Sequence, residues 1–146
     1  MTQRRRFRTQ SGVTLIEMLV VVTIIALFAA LVGPRMLGRT DAARRTAARA
    51  QINSFMTALG AYKLDTGTFP NTEMGLAALR VKPENVNQWT GPYLPQDIPL
   101  DPWGRGYVYI SPGIKSRDYD LESYGKDGEE GGTGDDGDIE SWNIES

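Results

Sequence analysis

An α+β fold, one long N-terminal helix laid against a small antiparallel sheet, is predicted by three features of the chain. An apolar run over residues 13–32 leads, with no strong stop, into an amphipathic stripe ending near Tyr62. Short β-type segments occur only after residue 100, in a region punctuated by proline and glycine. Near the C-terminus a glycine-spaced run of acids lies between two apolar anchors, a pattern of loop chemistry.

The first twelve residues carry Arg4, Arg5, Arg6 and Arg8 and end at Ser11-Gly12; the run 13–32 that follows has Glu17 as its only charged residue. As a helix rising 1.5 Å per residue it is roughly 30 Å long, the hydrocarbon thickness of a bilayer. A carboxylate at that depth costs about 2.5–3.5 kcal/mol on insertion scales, so such an acid normally marks a paired, functional position. A signal anchor that tolerates the acid is the plainest alternative. A secretory signal cleaved after the run fits less well, because its apolar region is about 7–15 residues and ends at a small-x-small site. Phe28-Ala29-Ala30-Leu31-Val32-Gly33 has no clean pair of that kind.

Ser11-Gly12-Val13-Thr14-Leu15-Ile16-Glu17 resembles the type IV prepilin signal. That resemblance implies a dedicated peptidase that cuts after Gly12 and methylates Val13, placing Glu17 fifth in the mature chain. The family usually has phenylalanine where this chain has Val13. A physical role for Glu17 follows: the free amine of Val13 is a cation near the membrane face, and Glu17 of a neighbouring copy is its natural counter-ion. Deleting one partner of such a pair leaves the other charge desolvated, so assembly is expected to depend on this carboxylate.

Beyond the run, Gly33-Pro34 is expected to kink the helix without ending it, since Pro34 has no N–H for the carbonyl of Ala30. The alanine- and arginine-rich stretch 41–50 has high helix propensity, and Asp41 is spaced to pair with Arg45. Ile52, Phe55, Met56, Leu59 and Tyr62 then recur at helical spacing, an apolar face expected to pack on the chain's own domain. One helix from Val13 to about Asp65 is predicted, ended by Thr66-Gly67. Residues 72–79 read as a short helix capped by Asn71 or Thr72. Prolines 92, 95, 99 and 102 forbid regular structure in the loop that follows. Residues 107–110 and 119–124 are the predicted pair of strands, in a sheet so short that it needs the amphipathic helix as cover.

Six acids and one lysine lie between Gly125 and Asp138. Such a stretch stays solvated unless something gathers its charges. Calcium can, since it takes six to eight oxygens from carboxylates and main-chain carbonyls, and glycines let a loop wrap closely round it. EF-hand spacing is absent. Gly131-Gly132-Thr133-Gly134-Asp135-Asp136 matches one copy of a calcium-binding glycine-rich repeat, with Asp138 at its apolar position. The residues leave the solvated loop and the calcium loop both open.

The chain has no cysteine and no histidine, so disulfides, structural zinc and Cys or Ser-His nucleophiles are excluded. Its net charge is −2, and loss of the leader's four arginines leaves −6, a balance against nucleic-acid binding. Arg35, Arg39, Arg44, Arg45 and Arg49 beyond the run blur the positive-inside rule, so orientation rests on the brevity of the leader.

Tyr62-Lys63-Leu64-Asp65, Phe69-Pro70, Thr72-Glu73-Met74-Gly75-Leu76, Tyr93-Leu94-Pro95, Asp101-Pro102-Trp103-Gly104 and Ser111-Pro112-Gly113 resemble, in order, the major pseudopilin of the type II secretion system. The resemblance covers nearly the whole chain. It implies a type IV pilin-like fold with leader 1–12 removed, transmembrane and assembly helix 13–33, amphipathic continuation 34–65 and periplasmic globular domain 66–146. It also implies calcium held by Asp127, Asp136 and Asp138 with the main-chain oxygens of Tyr124 and Thr133, although Gly137 stands where some relatives have an acid. The implied role is a non-enzymatic subunit anchored by a single pass in the inner membrane. Its implied partners are its own copies, minor pseudopilins, the prepilin peptidase, and the inner-membrane assembly platform with its secretion ATPase. Two rivals are a type IV pilin, which usually carries a C-terminal disulfide this chain cannot form, and a membrane-anchored calcium-dependent hydrolase or lectin, which has no account of Gly12 and Glu17.

Overall fold

Thr14 starts the long helix. Its carbonyl accepts the amide of Met18 at 3.2 Å, the first bond of the helix ladder, and its hydroxyl oxygen accepts the amide of Glu17 at 3.3 Å, so one of the N-terminal amides that a helix cannot satisfy internally is paired. Helix α1 runs over Leu15–Thr66. At its far end the Thr66 hydroxyl donates to the carbonyl of Tyr62 at 2.8 Å, and the amide of Gly67 closes on Lys63 at 2.8 Å. The structure is a computed structural model and describes residues 13–144, with residues 31–39 described by their backbone alone. Gly12 and the arginine leader lie outside the described residues. Backbone helix continues through residues 33 and 34, so Gly33-Pro34 does not end it.

The chain divides into two compact units, Met1–Gly38 and Arg39–Ser146. In the first, twelve large apolar side chains between Val13 and Phe28 are exposed, and they point to all sides of the helix. Among the described residues no helix is long and apolar enough to cross a membrane. The side chains of Leu31 and Val32, in the span expected over 13–33, lie outside those described.

In the second unit α1 is amphipathic, as the spacing predicts. Ala48, Ile52, Phe55, Ala58, Leu59 and Tyr62 are buried, and Met56 packs at the edge of that core. The stripe meets Leu79, Tyr109, Leu121 and Ile139 from the rest of the unit. Phe55 stands edge-on to Tyr107 with ring centroids 5.1 Å apart, and Phe69 likewise to Tyr119 at 4.8 Å. The region expected as a helix over 72–79 is half turn and half 3₁₀, the 3₁₀ segment lying at Leu76–Leu79. Gly75, at φ 58° and ψ −163°, stops continuous helix before it can form. Asn71 still caps, accepting the amide of Met74 at 2.8 Å, whereas Thr72 bonds the backbone of Ser111 instead.

Three short strands form one antiparallel sheet in the order β1 (Val108–Ile110), β2 (Asp120–Ser123), β3 (Ile139–Glu140). Tyr109 pairs with Leu121 and Ser123 with Ile139. Every residue of the central strand β2 is buried, two acids included, so its pattern departs from the alternation of a half-exposed strand. The loop from 124 to 138 joins β2 to β3, which places the acidic stretch across one end of the sheet.

Candidate functional site

Gly125, the second residue of the acidic loop, sets the geometry. At φ 60° it turns the chain out of β2, and a Cβ there would stand 2.9 Å from the carbonyl oxygen of Gly137. The two ends of the loop therefore touch, a closeness only glycine permits. Within the loop, the amide of Gly128 donates to the carbonyl of Tyr124 at 3.1 Å and that of Asp136 to Thr133 at 3.3 Å. Each of these carbonyls keeps a second lone pair, which is what a main-chain metal donor needs. Residues Gly134–Asp136 form a 3₁₀ turn.

Asp138 is where the loop folds back on itself. Its Oδ2 accepts the amide of Gly131 at 2.7 Å while its own amide donates to the Gly131 carbonyl at 3.2 Å. Its Oδ1 is buried and has no partner among the described residues, a position that normally costs about 1–3 kcal/mol. Burial pushes the Asp138 carboxyl above the usual aspartate range, and the charges of Asp127 and Glu130 push it further, against the pull of the Gly131 amide and Lys115. An oxygen-only, anion-rich site with an orphaned buried carboxylate oxygen fits a hard cation such as calcium.

The structure joins Asp138 to two acids that the sequence reading passed over. One carboxylate oxygen each from Glu122, Asp138 and Glu140 lies within 4.8 Å of the others. Glu122 and Glu140 are directly opposite across β2 and β3, and like charges in that relation repel. Burial raises the Glu122 carboxyl, Lys115 lowers it, and Asp138 and Glu130 add to the rise. Lys115 stands 3.5 Å from Glu122 and 3.0 Å from Glu130, so one cation serves several anions. An acid in the middle of an otherwise buried strand was the available signal for Glu122; nothing in the sequence fixed its register opposite Glu140.

Asp127 is exposed, its Oδ1 accepting the amide of Glu129 at 3.2 Å, and is near enough for its charge to act on Asp138. Asp136 is exposed in the 3₁₀ turn and lies outside the three-acid group. Arg45 does not pair with Asp41. Its Nη1 donates to the main-chain oxygen of Gly137 and, at 3.5 Å, to that of Asp135, while Asp41 takes Lys126 at 2.9 Å and Arg44 at 3.8 Å. An exposed i,i+4 pair stabilises by only about 0.3–0.5 kcal/mol, so the loop carbonyls outcompete it. In the N-terminal unit Val13 and Glu17 are both exposed.

Residues 35–142 match the family model of the type II secretion system protein G, and residues 7–33 match that of the prokaryotic N-terminal methylation motif. The chain is 45% identical over 138 residues to the type II secretion system core protein G of Pseudomonas aeruginosa, covering 92% of this chain and 96% of that protein. It is 42% identical over 144 residues to the protein of the same name from Vibrio cholerae, covering 97% of each. A crystal structure of the major pseudopilin from the type 2 secretion system of enterohaemorrhagic Escherichia coli is similar with a TM-score of 0.63 and 32% identity, over 75% of this chain and 92% of that one.

Proposed function

This chain belongs to the type II secretion system protein G family, and on that premise we propose how it works as the major pseudopilin, the structural subunit that polymerises into the periplasmic pseudopilus and drives export of folded proteins across the outer membrane. Prepilin peptidase cuts after Gly12 and methylates Val13. The subunit then waits in the inner membrane on its N-terminal helix, with the globular unit in the periplasm. The platform and its secretion ATPase feed subunits into a homopolymer capped by minor pseudopilins. What supports this reading most is that the similarity runs through both the N-terminal motif and the globular unit. The exposed apolar side chains between Val13 and Phe28 agree with it, since a helix apolar on all sides must be covered by lipid or by other helices.

In the acidic loop, Asp127, Asp136 and Asp138 with the carbonyls of Tyr124 and Thr133 would hold calcium, and Glu122 and Glu140, whose carboxylate oxygens lie within 4.8 Å of that of Asp138, would add their charge. Bound calcium supplies a divalent charge that relieves the repulsion among these carboxylates. The chain's own contribution is to gather the oxygens: Gly125 brings the loop ends together, and the Gly131 amide fixes one oxygen of Asp138 so that the other faces inward. The unpartnered Asp138 Oδ1 is the observation that favours a cation here.

Mass spectrometry of the chain extracted from membranes tests the processing on which assembly depends. The expected product lacks residues 1–12 and carries a methylated Val13. An intact N-terminus, or a cut near Gly33, rejects the pathway.

A further inference from the structure

Two arginines grip the acidic loop at its neck, and neither has a part in the reading above. Arg45 reaches from α1 to the carbonyls of Gly137 and Asp135. Arg105 comes from the turn before β1, and its Nη2 donates to the carbonyl of Gly125. A Cβ on Gly128 would lie 2.6 Å from Arg105 Cζ, so the loop rests directly on that guanidinium. Gly125 and Gly137 are themselves in contact. The two guanidiniums therefore hold the entry and the exit of one loop from two separate elements.

Arg105 is rigidly mounted. Its amide donates to Asp101 Oδ1 at 2.7 Å and its carbonyl accepts the Asp101 amide at 2.7 Å. Buried Asp101 also accepts the hydroxyl of Ser123 at 2.7 Å, which ties the turn to the end of β2 where the loop begins. Among the described residues neither guanidinium pairs with a carboxylate. Arg45 donates through Nη1 and Arg105 through Nη2 to main-chain oxygens, Arg105 Nε is buried with no partner among the described residues, and the loop's acids are left unclaimed. A fixed positive charge beside a cation site opposes the cation by Coulomb repulsion. That cost is offset only if the arginines do something for the donors, and guanidinium donors that fix a main-chain carbonyl at each end of the loop do so.

We propose that Arg45 and Arg105 are positioning residues for the cation loop, holding its two ends closed through main-chain carbonyls so that the donor oxygens stand assembled before calcium arrives. This rests on the calcium reading of the loop. The two interpretations of a nearby arginine predict opposite signs. As a mere charge, Arg45 weakens calcium binding and its removal tightens it. As a positioning residue, its removal weakens binding, because the loop must then be ordered at the expense of the ion's affinity.

Calorimetric titration of the detergent-solubilised full chain with calcium chloride decides between them, paired with thermal melts in chelator. Arg45→Ala is expected to raise the calcium Kd roughly 10- to 100-fold, the range for residues that orient metal ligands without touching the metal. Alanine is the best helix former, so α1 itself is kept. Arg45→Lys, whose ammonium can reach a carbonyl but lacks the planar fork, should recover part of the loss. Arg105→Ala should weaken binding in the same direction. A tighter or unchanged Kd in Arg45→Ala overturns the proposal, the unchanged Kd with an equally lowered melting temperature in calcium and in chelator marking a structural role only. A wild-type chain that gives neither binding heat nor a calcium-dependent melt defeats the calcium reading itself, and that failure is visible before any variant is compared.

Discussion

The two ends of the chain are incomplete in opposite ways. The first turns of α1 leave Leu15, Ile16, Leu19 and Ile25 exposed. Where β2, β3 and the loop between them meet, carboxylates are gathered against one another, and Asp138 Oδ1 is buried with no donor among the described residues. Apolar surface is completed by area, from lipid or from other copies of the same helix, and is indifferent to the exact position of any one residue. A carboxylate cluster is completed by a point charge, and each oxygen counts. Under the proposed function the same chain therefore uses a tolerant device where it would repack between membrane and filament, and an exacting one where the loop would be fixed by an ion.

Glu17 breaks that division, since it is an acid in the tolerant region, and its removal carries the largest expected effect. Its amide bonds Thr14 and its charge lies in the first turn of α1, where the helix dipole favours an anion. An anion in that position is worth only about 0.3–1 kcal/mol. If assembly needs the carboxylate as a counter-ion, Glu17→Ala should insert into membranes better, by about 2.5–3.5 kcal/mol, and yet give no filament and no secretion. Glu17→Gln should fail too if charge is what matters. Normal cross-linked polymers from Glu17→Ala would reduce the N-terminal end to apolar area alone.

What could be read from the sequence follows the same division. The α1 stripe was legible because burial of Ile52, Phe55, Leu59 and Tyr62 leaves a 3.6-residue period. Strands β1 and β2 were found from Tyr107-Val108-Tyr109-Ile110 and its partner, within one or two residues. β3 has two residues and no periodicity to detect. Asp138 was named through the family resemblance, whereas Glu122 and Glu140 stand beside it only through strand register, a long-range fact. Arg45 was misassigned to Asp41 because helical spacing describes neighbours along α1 and is silent about carbonyls ninety-two residues away.

The second effect in size is at the exacting end. A ligand that binds only the folded chain stabilises it by about 2.7 kcal/mol at a hundredfold excess over Kd, a large share of the margin of a small domain. Melts of the detergent-solubilised chain should rise with calcium and fall with chelator. Asp138→Ala and Asp127→Ala should each cancel most of the rise, whereas Glu129→Ala, at an exposed position with no donor role assigned, should leave it in place. Equal loss from Glu129→Ala would mean that net charge, and not a defined donor set, governs the loop.

Asp120 supplies the sharpest and smallest contrast, because it is a buried acid that the fold itself completes. Burial pushes its carboxyl up, yet the amides of Lys115 at 2.8 Å, Ser116 at 2.7 Å and Ile114 at 2.6 Å outweigh burial and hold it below the usual aspartate range. Asp138, with one amide and acidic neighbours, is shifted upward. Linkage gives the two acids opposite signs. The stability from Asp120 is present above its unfolded pKa of about 3.9 and is lost as pH falls through the depressed folded value. In chelator, Asp138 contributes below its unfolded pKa and loses that contribution as pH rises through the raised folded value. Asp120→Asn should thus cost about 1.5 kcal/mol at neutral pH and progressively less on acidification, measured as melting temperature against pH in chelator. Asp138→Asn should act at the other side of the profile, stabilising the metal-free chain as pH rises above the aspartate range, and lose that advantage when calcium is added. If the two asparagine variants moved the profile in the same direction, Asp138 would be another carboxylate satisfied by the fold, and the loop would have no need of a cation.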